Sequence, residues 1–447
     1  MNGEILYAKM GENWRKQQKY SQLESWGTVA NVAWEIVNPS SRHTWLNTAE
    51  HVDFSTFAPL SGKGAKSSLF HEYSLGVSTN RDSTVYGFQT EAVAEKVELF
   101  IKAYNTELER FRIAEGVEDL DAFLDYEAIQ WSRNLKRHLK NLDIATFDKA
   151  CIVDTVYRPF SRRLLYNADI AVDEPARTGG WANIGGNRVI CVPTIGGRSH
   201  PWVFAAAAPV NLNLVSIDAS QCFPFYRYAE NGPGRRENIS SIALQKFRNH
   251  YADNTVSKWN IFHATYAVLH HPEYRTRYAA NLKRELPRIP FPPDFHTFAA
   301  AGRRLMELHI DYEKQPEYKL QQIEDEKAEV SFRVTRMRLN PKDRSELKYN
   351  DFLTLRGIPA AAFDYRLGNR SALEWVVDQY RVSTDPRSGI TNDPNREDDP
   401  KYILRLVGQV ITVSIETQQI ITTLPSLHLG SEIDVPGGRH SVPSSNS

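Results

Sequence analysis

Gly62, Lys63, Gly64, Ala65, Lys66 and Ser67 are the chain's nearest approach to a phosphate-cradling loop. That chemistry needs Gly-x-x-x-x-Gly-Lys-Ser/Thr, so that backbone amides and one lysine surround the phosphates. Here the second glycine comes too early, and a basic loop is the simpler reading. His71–Glu72 opens a zinc-protease pattern, but Leu75 stands where the second histidine ligand belongs. Gly197–Arg198–Ser199–His200 does not supply the geometry of a nucleophile elbow. Glu317, Tyr318 and Lys319 near Asp311 resemble the acid-and-lysine grouping of metal-dependent nucleases, yet such triplets arise by chance on charged helices. Methylating a base amino group calls for Asp, Asn or Ser ahead of Pro-Pro-aromatic, because that side chain accepts a hydrogen bond from the amino group. Phe291 precedes Pro292–Pro293 and cannot accept one. No glycine-rich segment suited to S-adenosylmethionine is visible either. Cys151, Cys191 and Cys222 are odd in number and far apart in sequence, which argues against a disulfide framework and a cysteine-rich zinc site. No residue is therefore assigned to catalysis or to a metal.

The remaining chemistry is cationic. The 447 residues carry 54 basic and 54 acidic side chains, so the whole-chain charge announces no polyanion partner. Its distribution is uneven. Arginine and lysine exceed acid over 133–198, including Arg158, Arg162, Arg163, Arg177, Arg188 and Arg198, and again from Arg235 and Arg236 to Lys283, Arg284 and Arg288. Acid gathers at Glu107–Glu127, Asp311–Glu329 and Asp393–Asp399. A basic face and an acidic one would account for this, as would charges scattered over a solvated surface.

The elements that would position these residues follow from apolar spacing. Val93, Val97, Phe100, Ile101, Tyr104 and Leu108 recur at three- and four-residue intervals and predict an amphipathic helix over 91–108. A second helix is expected over 121–139, capped by Asp119 or Asp121. After Ala150 short β-type runs, Cys151–Val156 and Arg188–Pro193, are broken by glycine pairs at 179–180, 185–186 and 196–197, and Phe204–Leu214 with Val215–Ile217 would extend the sheet. Helix returns over 238–251, 261–284 and 298–313; a strand is expected over 330–339 and helices over 372–379 and 403–424. The fold class is mixed α+β. Its expected divisions are a helical N-terminal section to residue 150, a sheet-rich core over 151–330, a C-terminal α/β section over 331–429, and a disordered Gly-, Pro- and Ser-rich tail over 430–447. With no apolar run of 18 residues and no signal-like start at Met1, the chain is expected in the cytoplasm, away from membranes.

Seven strings in order extend the reading: Gly76–Asp82 (GVSTNRD), Ile129–Lys136 (IQWSRNLK), Tyr157–Tyr166 (YRPFSRRLLY), Tyr266–Arg275 (YAVLHHPEYR), Leu282–Phe291 (LKRELPRIPF), Asn369–Trp375 (NRSALEW) and Ser388–Asn395 (SGITNDPN). Together, over about residues 5–425, they resemble the C-terminal specificity region of type ISP restriction–modification enzymes. Those are single chains that join a nuclease, a translocase, an adenine methyltransferase and a target-recognition domain. The resemblance implies recognition of a short sequence in double-stranded DNA. It also implies that the N-terminal section packs on a methyltransferase core, and that S-adenosylmethionine, ATP and magnesium belong to methyltransferase and translocase partners.

On that footing, the section from Arg158 to Arg198 suits both phosphate and base contacts: Arg177, Arg188 and Arg198 beside glycine pairs suit a loop entering a groove, Arg162 and Arg163 suit a phosphate grip, and Arg235 and Arg236 after Gly232–Pro233–Gly234 form a second candidate loop. Lys283 and Arg284 join them as DNA contacts. Arg81 is divided between such a role and a structural pairing with Asp82. Tyr157, Phe160, Tyr226 and Tyr228 suit either stacking on an unpaired base or a place in the core. Two rival readings stay open: a part of an active adenine methyltransferase assembly, and a non-catalytic interaction scaffold.

Overall fold

The computed structural model describes residues 4–11, 14–37, 51–62, 67–114, 116–173, 186–197, 201–215, 218–229, 232–386 and 389–429. Helix accounts for 39% and strand for 20%, a mixed α+β fold. In chain order, β1 (Ile5–Tyr7), α1 (Lys16–Trp26) and β2 (Glu35–Val37) precede α2 (Thr90–Ile113) and α3 (Arg133–Lys140). Then come β3 (Ile152–Arg158), β4 (Ser161–Tyr166), β5 (Val189–Pro193), β6 (Phe204–Ala206), β7 (Ser220–Pro224), β8 (Tyr226–Ala229) and β9 (Gly232–Glu237). The long helices α4 (Lys258–His270) and α5 (Phe295–Ile310) follow. The C-terminal part holds β10 (Gln321–Glu324), β11 (Arg338–Leu339), β12 (Glu346–Lys348), β13 (Leu353–Arg356), α6 (Ala372–Gln379), β14 (Ser383–Thr384), β15 (Thr391–Asn392) and α7 (Tyr402–Thr423). No helix among the described residues is long and apolar enough to cross a membrane.

The central sheet runs Ser74–Leu75, β7, β5, β6, with Cys222 opposite Cys191 and Phe223 opposite Ile190. Strand side chains alternate between faces, and both faces here are covered. Ile190, Val192, Ala205 and Phe223 enter one apolar cluster with α4 and α5. Val189, Cys191, Phe204, Ala206 and Cys222 enter another with the C-terminal sheet, α6 and α7. A third cluster packs α2 and α3 on the sheet of Tyr86–Gly87, β4 and β3. Each cluster draws residues from both sides of position 150 or 330. Cys191 and Cys222, distant in sequence, become cross-strand neighbours with sulfurs 3.9 Å apart, both free and buried.

The β3–β4 turn ties these clusters together. Phe160 sits at φ +56°, a conformation a bulky residue rarely adopts and that costs on the order of 1–3 kcal/mol. In return its ring is wholly buried edge-on to Phe204, Tyr312, His309 and Tyr365. His309 lies flat on Tyr365, 4.9 Å between centroids. Its Nδ1 is 2.6 Å from the Tyr266 hydroxyl and its Nε2 is 3.0 Å from Thr417 Oγ1.

Several expected elements differ. The single helix over 121–139 is two pieces, Leu120–Phe123 and α3. Asp119 caps the first, and Asp125 Oδ1 then accepts from the amides of Glu127 and Ala128, turning the chain out of helix until Ser132 caps the second. The helix over 261–284 starts at Lys258 and stops at His270, because Pro272 holds His271 at ψ 125°; shorter helices, Pro272–Arg277 and Ala279–Arg284, continue it. The strand over 330–339 shrinks to β11. Side chains satisfy its backbone instead: Asn395 bonds both the amide and the carbonyl of Val334, Asn350 donates to the carbonyls of Ser331 and Arg333, and Tyr349 donates to Phe332. Past Ala206, the run to Leu214 is turn and isolated bridges rather than strand. Residues 216–217, the glycine pair at 179–180, residues 63–66 and the tail over 430–447 lie outside the described residues.

α4 and α5 cross so closely that a Cβ at Gly302 would stand 1.8 Å from the His263 carbonyl oxygen. Gly302→Ala is therefore expected to destabilise the chain by ~1–3 kcal/mol, although alanine in an open helix would gain ~1 kcal/mol. Urea unfolding should show a lower midpoint at unchanged slope. Burial also pushes His270 down to about 3 and His263 down to about 4, so both are neutral in the folded chain. The unfolded chain takes up these protons below pH ~6.5 and the folded chain only near 3–4. Stability should therefore be full above pH ~6.5 and fall steadily toward pH 4. His270→Gln, even if less stable overall, should show a shallower fall in a series of urea midpoints against pH.

Candidate nucleic-acid interface

β8 and β9 form a two-stranded arm separate from the larger sheets. Its root is bolted by two asparagines. Asn187 Nδ2 donates to the Tyr226 carbonyl while its Oδ1 accepts from the Tyr226 and Arg188 amides. Asn238 Nδ2 donates to the carbonyls of Glu72 and Pro224, and its Oδ1 accepts from the Glu72 amide. Phe225 stacks on Trp259 at 3.5 Å beneath them.

The register puts Arg227 directly opposite Arg236 and Tyr228 opposite Arg235. Like charges facing each other across a ladder are unfavourable. Arg227 is offset by an ion pair with Glu72, whereas Arg235 and Arg236 are exposed. Arg235 lies over the Tyr226 ring at 4.2 Å, and Arg236 has no carboxylate partner among the described residues. Arg188, at the arm's base, is part-buried with Nη1 donating to the Asn187 carbonyl. A twisted two-stranded ribbon fits the major groove of a duplex, and arginines on it can reach guanine edges or phosphates.

The other sequence-derived residues lie off the arm. Arg158 donates to the Tyr157 carbonyl and to Asn211 Oδ1; Arg163 lies over the rings of Phe88 and Tyr157. Arg162 turns inward, donating to the Ile310 carbonyl beside Glu313. Arg81 is only 2% exposed. It donates to the Ala171 carbonyl and to Ser132 Oγ and stands 3.9 Å from Asp173, so its partner is Asp173 rather than the adjacent Asp82. In that place it joins α3 to the loop after β4. Lys283 and Arg284 are exposed at the end of a short helix, where the Lys283 carbonyl accepts from the Gly196 amide. Arg177 and Arg198 lie outside the described residues. Phe160 belongs to the core, and Tyr157 lies under two arginines.

Arg227 and the anchors Asn187 and Asn238 were missed from sequence. The signal was present in the sequence Asn231–Gly232, a dipeptide that favours hairpins, flanked by Tyr226–Arg227–Tyr228 and Arg235–Arg236; pairing the flanks across it would have brought the three arginines together. Among the described residues no group of three His, Cys, Asp or Glu side chains could hold a metal ion.

Comparison with solved structures gives ten similar chains, three of which are as follows. The nuclease-deletion mutant of the Type ISP restriction-modification enzyme LlaGI, in complex with a DNA substrate mimic, is 29% identical with a TM-score of 0.78 over 95% of this chain and 33% of its own. DrdV, in a complex with DNA, is 32% identical with a TM-score of 0.78 over 92% and 42%. The ATP-dependent Type ISP restriction-modification enzyme LlaBIII, bound to DNA, is 27% identical with a TM-score of 0.79 over 95% and 28%. The chain thus spans well under half the length of these relatives. No curated protein matches it. Residues 68–406 match the Type ISP C-terminal specificity domain, and the chain belongs to that family.

Proposed function

We propose that this chain is the target-recognition unit of a restriction–modification enzyme, reading a short sequence in double-stranded DNA with the β8–β9 arm. The observation that carries the reading is the Arg227–Arg236 pair with Arg235 beside it. A bolted two-stranded ribbon that tolerates facing arginines is matched by a polyanion, and the solved relatives are DNA complexes. Phosphate contacts supply affinity and base-edge contacts supply choice. Arg188, Lys283 and Arg284 extend the basic surface for backbone contact.

Methylation and cleavage then belong to other domains or subunits, which would hold S-adenosylmethionine, ATP and magnesium. Over residues 4–37 none of the described residues is buried, and Trp14, Tyr20, Leu23, Trp34 and Ile36 are all at least 38% exposed. So much apolar surface on one segment suits packing against a methyltransferase core. The working compartment would be the cytoplasm.

Selection of duplexes from a randomised library on the purified chain should enrich one motif. Arg235→Ala is expected to relax preference at one or more positions of that motif, with losses of ~1–3 kcal/mol per base pair. A motif that stays equally sharp would move the reading residues off the arm. Arg236→Thr tests the charge conflict from both sides. Without DNA it should raise the thermal midpoint by relieving ~0.2–1 kcal/mol. With DNA it should weaken binding and lower the salt slope by about 1.

A further inference from the structure

A second cationic site lies away from the arm. Between the β3–β4 turn and the β14–β15 hairpin is a pocket of about 330 Å³, with Asp82, Tyr157, Arg158, Arg163, Asp378 and Arg381 in its walls. The guanidinium groups of Arg158 and Arg163 stand over the same Tyr157 ring, 4.1 and 4.0 Å from its centroid. Neither forms an ion pair among the described residues. Arg158 donates only to neutral acceptors, the Tyr157 carbonyl and Asn211 Oδ1. Arg163 donates to Gln379 Oε1, and its buried Nε finds no acceptor.

The carboxylates in its walls, Asp82, Asp378 and Asp385, all have partners. Asp82 accepts from the Tyr157 hydroxyl, Asn211 Nδ2 and Thr79 Oγ1. Asp378 sits 3.1 Å from Arg370 and 3.9 Å from Arg381. Two crowded guanidinium groups with an unmet donor are short of an anion, since buried donors are normally satisfied. The pocket adjoins a cleft of about 890 Å³, and the two share Asp82, Ser83, Asp385 and Pro386. The cleft presents amides (Asn80, Gln130) and one exposed aromatic (Tyr126), groups that can hydrogen-bond and stack on nucleobases.

We propose that Arg158 and Arg163 hold the phosphate of a nucleotide whose nucleoside part occupies the adjoining cleft. The phosphate ester has two sources, a free nucleotide or a nucleotide of a bound DNA strand. Only the second rests on the DNA-recognition reading.

The test uses the whole chain. Deoxyadenosine monophosphate and deoxyadenosine are titrated calorimetrically, and 2-aminopurine replaces each adenine in turn in a selected or generic duplex. A free-nucleotide site binds the monophosphate, rejects the nucleoside, and weakens at least about tenfold in Arg158→Gln and in the more exposed Arg381→Gln. A strand site leaves the monophosphate unbound but brightens 2-aminopurine at one position, and both variants remove that signal when read at duplex concentrations that saturate each variant. A duplex that binds with neither response overturns the pocket and leaves the recognition reading intact. Monophosphate binding with no duplex binding upholds the pocket and overturns that reading. Silence of every probe overturns both.

Discussion

The neutral imidazole of His309 is the constraint on which the rest of the molecule depends. It joins α5 to α4 through Tyr266, to α7 through Thr417, and to the C-terminal part through the face of Tyr365. A charged imidazole could not sit there: burial drives its pKa well below the ordinary value, and His270 beside it would add repulsion. Kept neutral, one ring nitrogen donates while the other accepts, so both hydroxyls are satisfied without a buried charge. Phe160 can hold its unfavourable backbone only because this aromatic box receives its ring.

That anchored turn decides where the arginines go. With Phe160 fixed in the core, the residues on either side leave on defined paths: Arg158 and Arg163 to Tyr157, Arg162 to the end of α5. The arm is placed by a parallel device. Burying both faces of β5 and β7 holds the continuation of β7 into β8 at its root, where Asn187 and Asn238 bond the backbone of Arg188, Tyr226, Pro224 and Glu72. Reading side chains on rigid elements can hold a geometry that a free loop cannot.

Much of this was legible in sequence where spacing alone decides the outcome. The apolar rhythm of α2 and α7 and the span of α6 from Ala372 to Gln379 appear close to where the sequence puts them, and the seven strings marked the family. Spacing failed where side chains took over the backbone. Asp125 broke a helix that Phe123 and Leu135 favoured, and Asn350 and Asn395 displaced a strand that Val330 and Val334 favoured. The site was legible in composition but not in arrangement. Arg81, Arg162, Arg235 and Arg236 look alike along the chain; burial, a carbonyl partner or a facing arginine distinguishes them, and each depends on residues 70 or more positions away or on strand register.

Zero net charge is compatible with a polyanion partner for a related reason. At physiological salt a charge is felt over about 8 Å, so what matters is whether it is compensated locally. On and around the C-terminal part arginine and acid cancel at close range, Arg304 of α5 with Glu416, Arg333 with Asp393 and Arg405 with Asp399. At the arm the acids are taken by other cations, Glu72 by Arg227 and Glu237 by Lys258, and Arg235 and Arg236 form no ion pair among the described residues. A whole-chain sum therefore conceals which charges are balanced locally, and the register of two short strands shows it for Arg227 and Arg236.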